Sequence, residues 1–346
     1  MALSDYSYDL PKDRIADRPA EPRDTSRLFA YDTKTDTITL DVFANVARYI
    51  PAGSLLVLND TKVVPARLEL TKKTGGKVII LFLFNEWDRG PVIKGLPDRG
   101  IAAGDMLYAD GRAIVEAVSN EREEFSFRLK ILPAEFERLC EERGRTPLPP
   151  YIHSGMNESE IRERYQTTFA ARPASVAAPT ASLHFTDRVF DSLKQKGVGQ
   201  TAVTLHVGRG TFSPVTEAHA SAGRLHAEPV SVGIEAAQLV RSSKEAGRAV
   251  IAAGTTVART LESAADPIMK GEGYSGETAI FIQPPYDFKI VDALITNFHL
   301  PGTSLLMLLD AFMQGKGARK TWRELYERAI AEGFRFYSFG DVMLII

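Results

Sequence analysis

Residues 54–62 read SLLVLNDTK, and this stretch sets the fold class. Leu55-Leu56-Val57-Leu58 is a continuous apolar run without polar alternation, the pattern of a strand buried on both faces. Polarity switches on abruptly at Asn59-Asp60-Thr61-Lys62. Three further β-prone runs end the same way. Thr201 to Val207 delivers His206 into a glycine-flanked turn, Arg248 to Ala253 ends in Gly254-Thr255-Thr256, and Ile290 to Thr296 ends in Asn297-Phe298-His299. In α/β sheets and barrels, ligands bind beyond the carboxyl ends of the strands. Four polar clusters at equivalent topological positions therefore predict one shared crevice.

The run from Ser175 to Val215 supplies much of that crevice. Ala177, Ala178, Pro179, Thr180 and Ala181 allow close backbone approach to a ligand, and His184 follows. Thr186 is the expected N-cap of a helix whose apolar side is Val189, Phe190 and Leu193 and whose stop is Gly197. Gly208-Arg209-Gly210 lies just beyond the next strand.

Residues 67–150 have a different texture. Short β-prone pieces alternate with turn signals such as Gly75-Gly76, Asp88-Arg89-Gly90 and Asp110-Gly111, the rhythm of a small antiparallel barrel or sandwich. A helix is expected from Ala134 to Arg143. The division that follows is a discontinuous α/β domain, 1–66 and 151–346, with a β-domain inserted at 67–150. Further along, helices are expected at 235–246 and 258–264, and the Gly-rich segment 265–278 as loop. Thr303 caps a helix that is apolar nearly all round, hence buried. Trp322, Leu325, Tyr326, Ala329 and Ile330 form an amphipathic stripe.

At 346 residues with 44% hydrophobic and 25% charged side chains, the chain has a globular composition and enough length for two domains. There is no apolar leader segment and no run of membrane-spanning length. The single cysteine, Cys140, excludes an intrachain disulfide, so a cytoplasmic location is expected. A net charge of −2 means that any nucleic-acid partner must be held by a local basic face.

No P-loop, dinucleotide fingerprint, zinc-protease motif or nucleophile elbow occurs. His219, His226 and Glu228 fit no common metal spacing. Each polar candidate has functional and structural readings. His184 suits a general base or a helix-start histidine bonded to backbone; His206 suits a base or a satisfied strand histidine. Asp60 is a base, a ribose-binder or a turn cap, and Thr255, Thr256 and Arg259 hold a polar ligand or simply start a helix. Asn297 and His299 precede Pro301, so a rigid turn accounts for part of that run.

Taken together, the stretches EPRDTSRL, LLVLNDTKVVPARL, PLPPYI, RYQTTFA, SVAAPTASLHFT, TLHVGRGTFSPV, AAGTTVARTLE, VDALITNFHLP and FRFYSFGDVMLI closely resemble the S-adenosylmethionine:tRNA ribosyltransferase-isomerase family of queuosine biosynthesis. Departures fall at Ala174, Ser182, Pro229, Pro284-Pro285 and Thr303-Ser304, and Ser182 is expected to narrow the pocket. The resemblance implies a partly open α/β barrel with a small β-barrel domain. It also implies transfer of the ribosyl group of S-adenosylmethionine to 7-aminomethyl-7-deazaguanine at the tRNA wobble position. Epoxyqueuosine is the implied product, with adenine and methionine released and no metal or prosthetic group required. A monomer is expected.

That chemistry needs a base at the ribosyl CH₂ beside the sulfonium, for which His184, His206 and Asp60 are the candidates. Asn59, Thr180, Arg209, Glu228, Thr255, Thr256, Arg259, Asn297 and His299 are the candidate substrate ligands. Arg23, Arg27, Lys62, Arg67, Arg145, Arg164 and Arg172 are the candidate tRNA contacts. Two rival classes remain: a tRNA-binding module without catalysis, and an adenosylmethionine methyltransferase, which the missing Gly-rich fingerprint disfavours.

Overall fold

The computed structural model describes residues 3–121, 124–149, 152, 155–208, 210 and 222–346. The Leu55–Asn59 strand lies inside a nine-stranded mixed sheet. Across the sheet the order is Tyr274–Ile280, Arg224–Val232, Gly199–Leu205, Leu55–Asn59, Val250–Ala253, Ala293–Asn297, Val342–Ile345, Arg27–Asp32 and Thr37–Val42. Four consecutive members, from Gly199–Leu205 to Ala293–Asn297, are mutually parallel. Their carboxyl ends therefore line up along one edge.

The unbroken apolar run has a direct cause. Leu55 and Val57 face one core, which is covered by the helices Ile234–Glu245, Thr255–Ser263, Ser304–Gly315 and Trp322–Ala331. Leu56 and Leu58 face the other, covered by the Asp187–Gln195 helix and the 3₁₀ turns of Phe43–Arg48. With helices on both faces, neither side of the strand tolerates a polar residue. Among the described residues, no helix is long and apolar enough to cross a membrane.

Six strands between Arg67 and Leu129 close into an antiparallel barrel. The Pro133–Arg143 helix packs Phe136 and Cys140 into its core, with the Phe136 ring 4.9 Å from that of Phe82. Burial pushes the Cys140 thiol up to about 12, so it serves as a small apolar side chain. The chain enters and leaves the barrel at one seam. Arg67 N–H donates to the Arg145 carbonyl (3.1 Å) and Arg145 N–H to the Arg67 carbonyl (2.8 Å).

Three local expectations are corrected. Thr186 occupies the N-cap position, but its hydroxyl donates to Asp24 Oδ2 (2.7 Å) instead of accepting from the first turn. Thr303 likewise turns its hydroxyl to the Leu300 carbonyl (2.9 Å). Segment 265–278, expected as loop, contains the Ala265–Lys270 helix and most of the Tyr274–Ile280 edge strand. Two of its glycines are element boundaries: Gly271 takes φ +75° to end the helix, and a Cβ on Gly273 would crowd the Val232 carbonyl at 3.1 Å.

Gly144 is the most constrained residue of the seam. A Cβ there would lie 2.0 Å from the Pro65 carbonyl oxygen and 2.4 Å from that of Cys140, both backbone atoms. Gly144→Ala is predicted to destabilise the protein by about 2–3 kcal/mol or more, the scale of overpacking. A thermal melt within about 1 °C of wild type would contradict this account of the seam.

Candidate active site

A cavity of about 340 Å³ opens beyond the ends of three of the four parallel strands; the Asn59-Asp60 cluster and His206 lie outside its lining, so the expected shared crevice gathers only part of the four clusters. Gly254-Thr255-Thr256 and Arg259 form one wall, Thr296 to His299 the second, Ala177 to Ala181 the third and Glu228 the fourth. Gly254 takes φ +109°, which lets the Val250–Ala253 strand turn straight into the Thr255–Ser263 helix and aims that helix's first turn at the cavity. Ser175 Oγ accepts from Val207 N–H (2.9 Å), and Val176 N–H donates to the Val207 carbonyl (3.0 Å). These bonds hold the small-residue loop against the end of its neighbouring strand.

Asn59 is fully buried behind this wall, outside the cavity lining, and its amide is fully committed. Its Oδ1 accepts from Thr61 and Leu205 N–H (both 3.1 Å), while its Nδ2 donates to the Leu205 carbonyl (3.1 Å) and Thr256 Oγ1 (3.3 Å). Asn59 thus ties the ends of its own strand and of Gly199–Leu205 to the start of the Thr255–Ser263 helix. Thr180 and Asn297 do line the cavity, and the Thr180 hydroxyl donates to Asn297 Oδ1 (2.9 Å).

The charged centre is Glu228 with Arg259. Both are over nine-tenths buried, and Arg259 Nη1 donates to Glu228 Oε2. Glu228 Oε1 accepts from Gly208 N–H (3.0 Å). Among the described residues, Arg259 Nε and Nη2 have no partner. Buried guanidinium N–H groups are costly to leave unmet, at about 1–3 kcal/mol each or more.

The histidines separate. His184 is buried against Phe43, outside the cavity lining. Its ring is hydrogen-bonded to the Arg23 backbone, and its Nε2 lies 3.4 Å from Asn297 Nδ2. Burial, aided by nearby Arg335, lowers its pKa to about 3, so it is a neutral acceptor that orients the Asn297 amide. His299 lines the cavity, bonds Thr296 Oγ1 through Nε2 (2.9 Å), and is also lowered to about 3 by burial. His206 borders a different cavity, with Nδ1 2.7 Å from Thr61 Oγ1 and a pKa lowered mainly by burial. Asp60 lies in neither cavity lining; it accepts from Thr204 Oγ1 (2.6 Å) and pairs with Arg172 (3.3 Å). Ser182, fully buried, donates to the Ala253 carbonyl (3.2 Å) and lies outside the lining, so it does not narrow the pocket. Arg209 and His219 lie outside the described residues.

The basic set divides similarly. Arg23 spends its guanidinium on the Gln166 and Glu163 carbonyls, and Arg27 donates to the Glu332 carbonyl (2.6 Å) while stacking on Phe334. Arg164 pairs with Glu21, and Arg67 is half-buried at the barrel seam. Lys62 and Arg145 are exposed, and Arg172 is exposed while paired with Asp60.

Sequence reasoning missed Tyr165 and Tyr337, both in the cavity wall. Tyr165 is buried and bonded to the Ala178 backbone and Ser338. Tyr337 takes φ +76°, a strained conformation for a bulky residue, and its N–H donates to the Phe298 carbonyl (2.9 Å). No single-residue signal marks either one; both sit in stretches noted only for family likeness. A second cavity, of about 600 Å³, opens where the barrel meets the sheet and is bordered by His206, Ala174, Asn85 and Trp87. Asn85 was also missed.

Comparison with known proteins gives concordant matches. A family model described as queuosine biosynthesis protein matches residues 3–345. The S-adenosylmethionine:tRNA ribosyltransferase-isomerase of Thermotoga petrophila is 44% identical, with 100% of each chain covered. That of Thermus thermophilus is 43% identical over 99% of each. A crystal structure of the S-adenosylmethionine tRNA ribosyltransferase from Thermotoga maritima superposes with a TM-score of 0.56 at 33% identity, covering 99% of this chain and 100% of that one.

The two buried imidazoles make acid sensitivity testable. An unfolded histidine titrates near 6.5, so below that pH the unfolded chain binds protons that folded His184 and His299 refuse. Stability therefore falls as pH drops from 6.5 towards 3, by about 1.4 kcal/mol per pH unit for each ring. Urea unfolding at pH 7 and 5.5 should show the loss, and His184→Gln should remove about half of the histidine contribution. An NMR titration in which either ring protonates near pH 6.5 would contradict the assignment.

Proposed function

The chain belongs to the queuosine biosynthesis protein family and is an enzyme, and from that premise we propose that it transfers the ribosyl group of S-adenosylmethionine to tRNA. In this reading the acceptor is 7-aminomethyl-7-deazaguanine at the wobble position. The product is epoxyqueuosine-tRNA, with adenine and methionine leaving. No metal or prosthetic group is called on.

The observation that carries the proposal is the Arg259 guanidinium: buried in the strand-end cavity, held by Glu228, and with Nε and Nη2 unmet among the described residues. A carboxylate such as that of the donor's methionyl end satisfies those N–H groups, and Glu228 offers negative charge for the sulfonium. In a water-poor cavity such pairing is stronger than in solution. Thr180, Thr255, Thr256 and Asn297 supply donors and acceptors for ribose hydroxyls. The small residues Ala177, Ala178 and Ala181 leave room for a flat adenine.

The base that removes the CH₂ proton should touch the donor. His226 and His299 line this cavity and His184 does not; burial makes His299 a poor proton acceptor, so we assign the role to His226 and give His184 a positioning role through Asn297. A general base typically contributes about 10²–10⁴-fold. The exposed Lys62, Arg145 and Arg172 supply phosphate contacts, which weaken as salt rises.

The test is product analysis with purified protein, S-adenosylmethionine and tRNA carrying the aminomethyl base. Adenine and methionine should appear in step with a mass gain on the wobble nucleotide; S-adenosylhomocysteine, or tight tRNA binding without adenine, would overturn the proposal. Arg259→Gln should raise the KM for S-adenosylmethionine by about 10- to 100-fold, the scale of hydrogen bonds to a charged group. Binding of tRNA should be unchanged. Unaltered donor KM would remove Arg259 from the site.

A further inference from the structure

Among the described residues, the phenyl and phenol rings that line the strand-end cavity are those of Tyr165, Phe298 and Tyr337. Phe298 is 0% exposed and ringed by Phe29, Phe334, Phe336 and Tyr326. Tyr165 is 1% exposed and packs edge-on against Phe339 at 5.7 Å. Tyr337 alone of the three keeps part of its surface exposed. It is the ring with a face to offer a ligand.

The backbone holds that ring in place against its own preference. Tyr337 takes φ +76°, in the left-handed region that bulky side chains rarely adopt. Such strain persists only where the surroundings over-determine it, and it gathers at ligand clamps. Here every step of the turn is tied. Phe336 N–H donates to the Arg14 carbonyl (2.7 Å), Tyr337 N–H to the Phe298 carbonyl (2.9 Å) and Gly340 N–H to the Tyr337 carbonyl (2.9 Å). Buried Asp341 accepts from the backbone N–H groups of Arg27 (3.0 Å) and Arg335 (2.8 Å) and from the Arg335 guanidinium (3.2 Å). A Cβ on Gly340 would lie 2.5 Å from the Phe336 carbonyl carbon, so the turn is as tight as glycine permits. The rings on either side, Phe336 and Phe339, enter two separate cores. Tyr337 joins neither and borders the cavity instead.

Its turn also bridges two walls. Tyr337 is bonded to Phe298 of the second wall, while Ser338 is bonded to Tyr165, which is bonded in turn to the Ala178 backbone of the small-residue wall. Glu228 and Arg259 belong to the other two. We propose that Tyr337 is a substrate-binding residue, on whose ring the adenine of the donor stacks beside the small side chains of Ala177, Ala178 and Ala181. A purine presents a flat π-face whatever its edge groups, and an aromatic ring is its natural platform. A ring fixed in advance loses little freedom when the purine arrives, so strain in the free protein is exchanged for a platform already in position. The inference rests on the adenosylmethionine reading for the identity of the donor, not for the ring's place in the cavity.

Adenine release in the presence of tRNA, with adenosine as competitor, tests it. Adenosine shares the purine but lacks the sulfonium and the methionyl end. Tyr337→Leu should raise the KM for S-adenosylmethionine and the inhibition constant of adenosine by the same factor, about 5- to 150-fold, the scale of base–aromatic stacking. Tyr337→Phe keeps the ring and should match wild type in both. A leucine variant that matches wild type would overturn the assignment. An effect confined to S-adenosylmethionine would place the ring at the sulfonium, and a phenylalanine variant as weak as the leucine one would assign the effect to the hydroxyl; either overturns stacking. The backbone argument has a separate readout. Tyr337→Gly should melt above Tyr337→Ala, the reverse of the usual order, because glycine alone is at ease at φ +76°. An alanine variant that melts higher would remove the strain, and with it the case for a position kept for a ligand. If wild-type protein releases no adenine, ribosyl transfer fails, while equilibrium dialysis of the same two ligands with tRNA present still decides the role of the ring; binding of neither would overturn it.

Discussion

Parallel strands leave their last polar groups unpaired at one edge, and here the Asn59 amide ties two of those strand ends to the start of a helix. Because Asn59 bonds the backbone of Leu205 and Thr61 and the hydroxyl of Thr256, the ends of the Gly199–Leu205 and Leu55–Asn59 strands and the start of the Thr255–Ser263 helix are fixed relative to one another. The cavity depends on that fixation. Glu228, Arg259 and Asn297 come from separate elements, and each can meet a ligand only if the elements stop where they do. The site is thus a property of where strands end, with Ser175 and Val176 holding the lid of small residues to the same edge.

The inserted barrel extends this logic. Reciprocal bonds between Arg67 and Arg145 close the insertion at one point, so the barrel meets the sheet along a seam. Along that seam the 206–207 backbone borders two cavities, Val207 the strand-end one and His206 the other.

Much of this was legible in the sequence where local chemistry and position coincide. Leu55 to Leu58 announced a strand covered on both faces, and the abrupt polar switch at Asn59, Gly254 and Asn297 marked the edge where the cavity lies. The turn rhythm after Arg67 is the signature of the six short antiparallel strands that close the barrel. What the sequence left open was the direction each side chain takes. His184 looks like a base beside a small-residue loop, yet it is buried behind Asn297, and Arg23 looks like a phosphate ligand, yet backbone carbonyls 140 residues or more away occupy it. Those partners are set by tertiary packing. Asn85 was invisible for the same reason: among loop residues an asparagine reads as a turn former, and only its burial without a partner distinguishes it.

The account's central claim is that the strand-end cavity, and not the seam, receives the adenosylmethionine. Hydrogen–deuterium exchange with and without S-adenosylmethionine, in the absence of tRNA, tests it directly. The account predicts slowed exchange in 177–183, 254–260 and 297–304, with the barrel residues 67–129 unchanged. Protection confined to 84–90 and the 133–143 helix, or none at all under saturating donor, would contradict it.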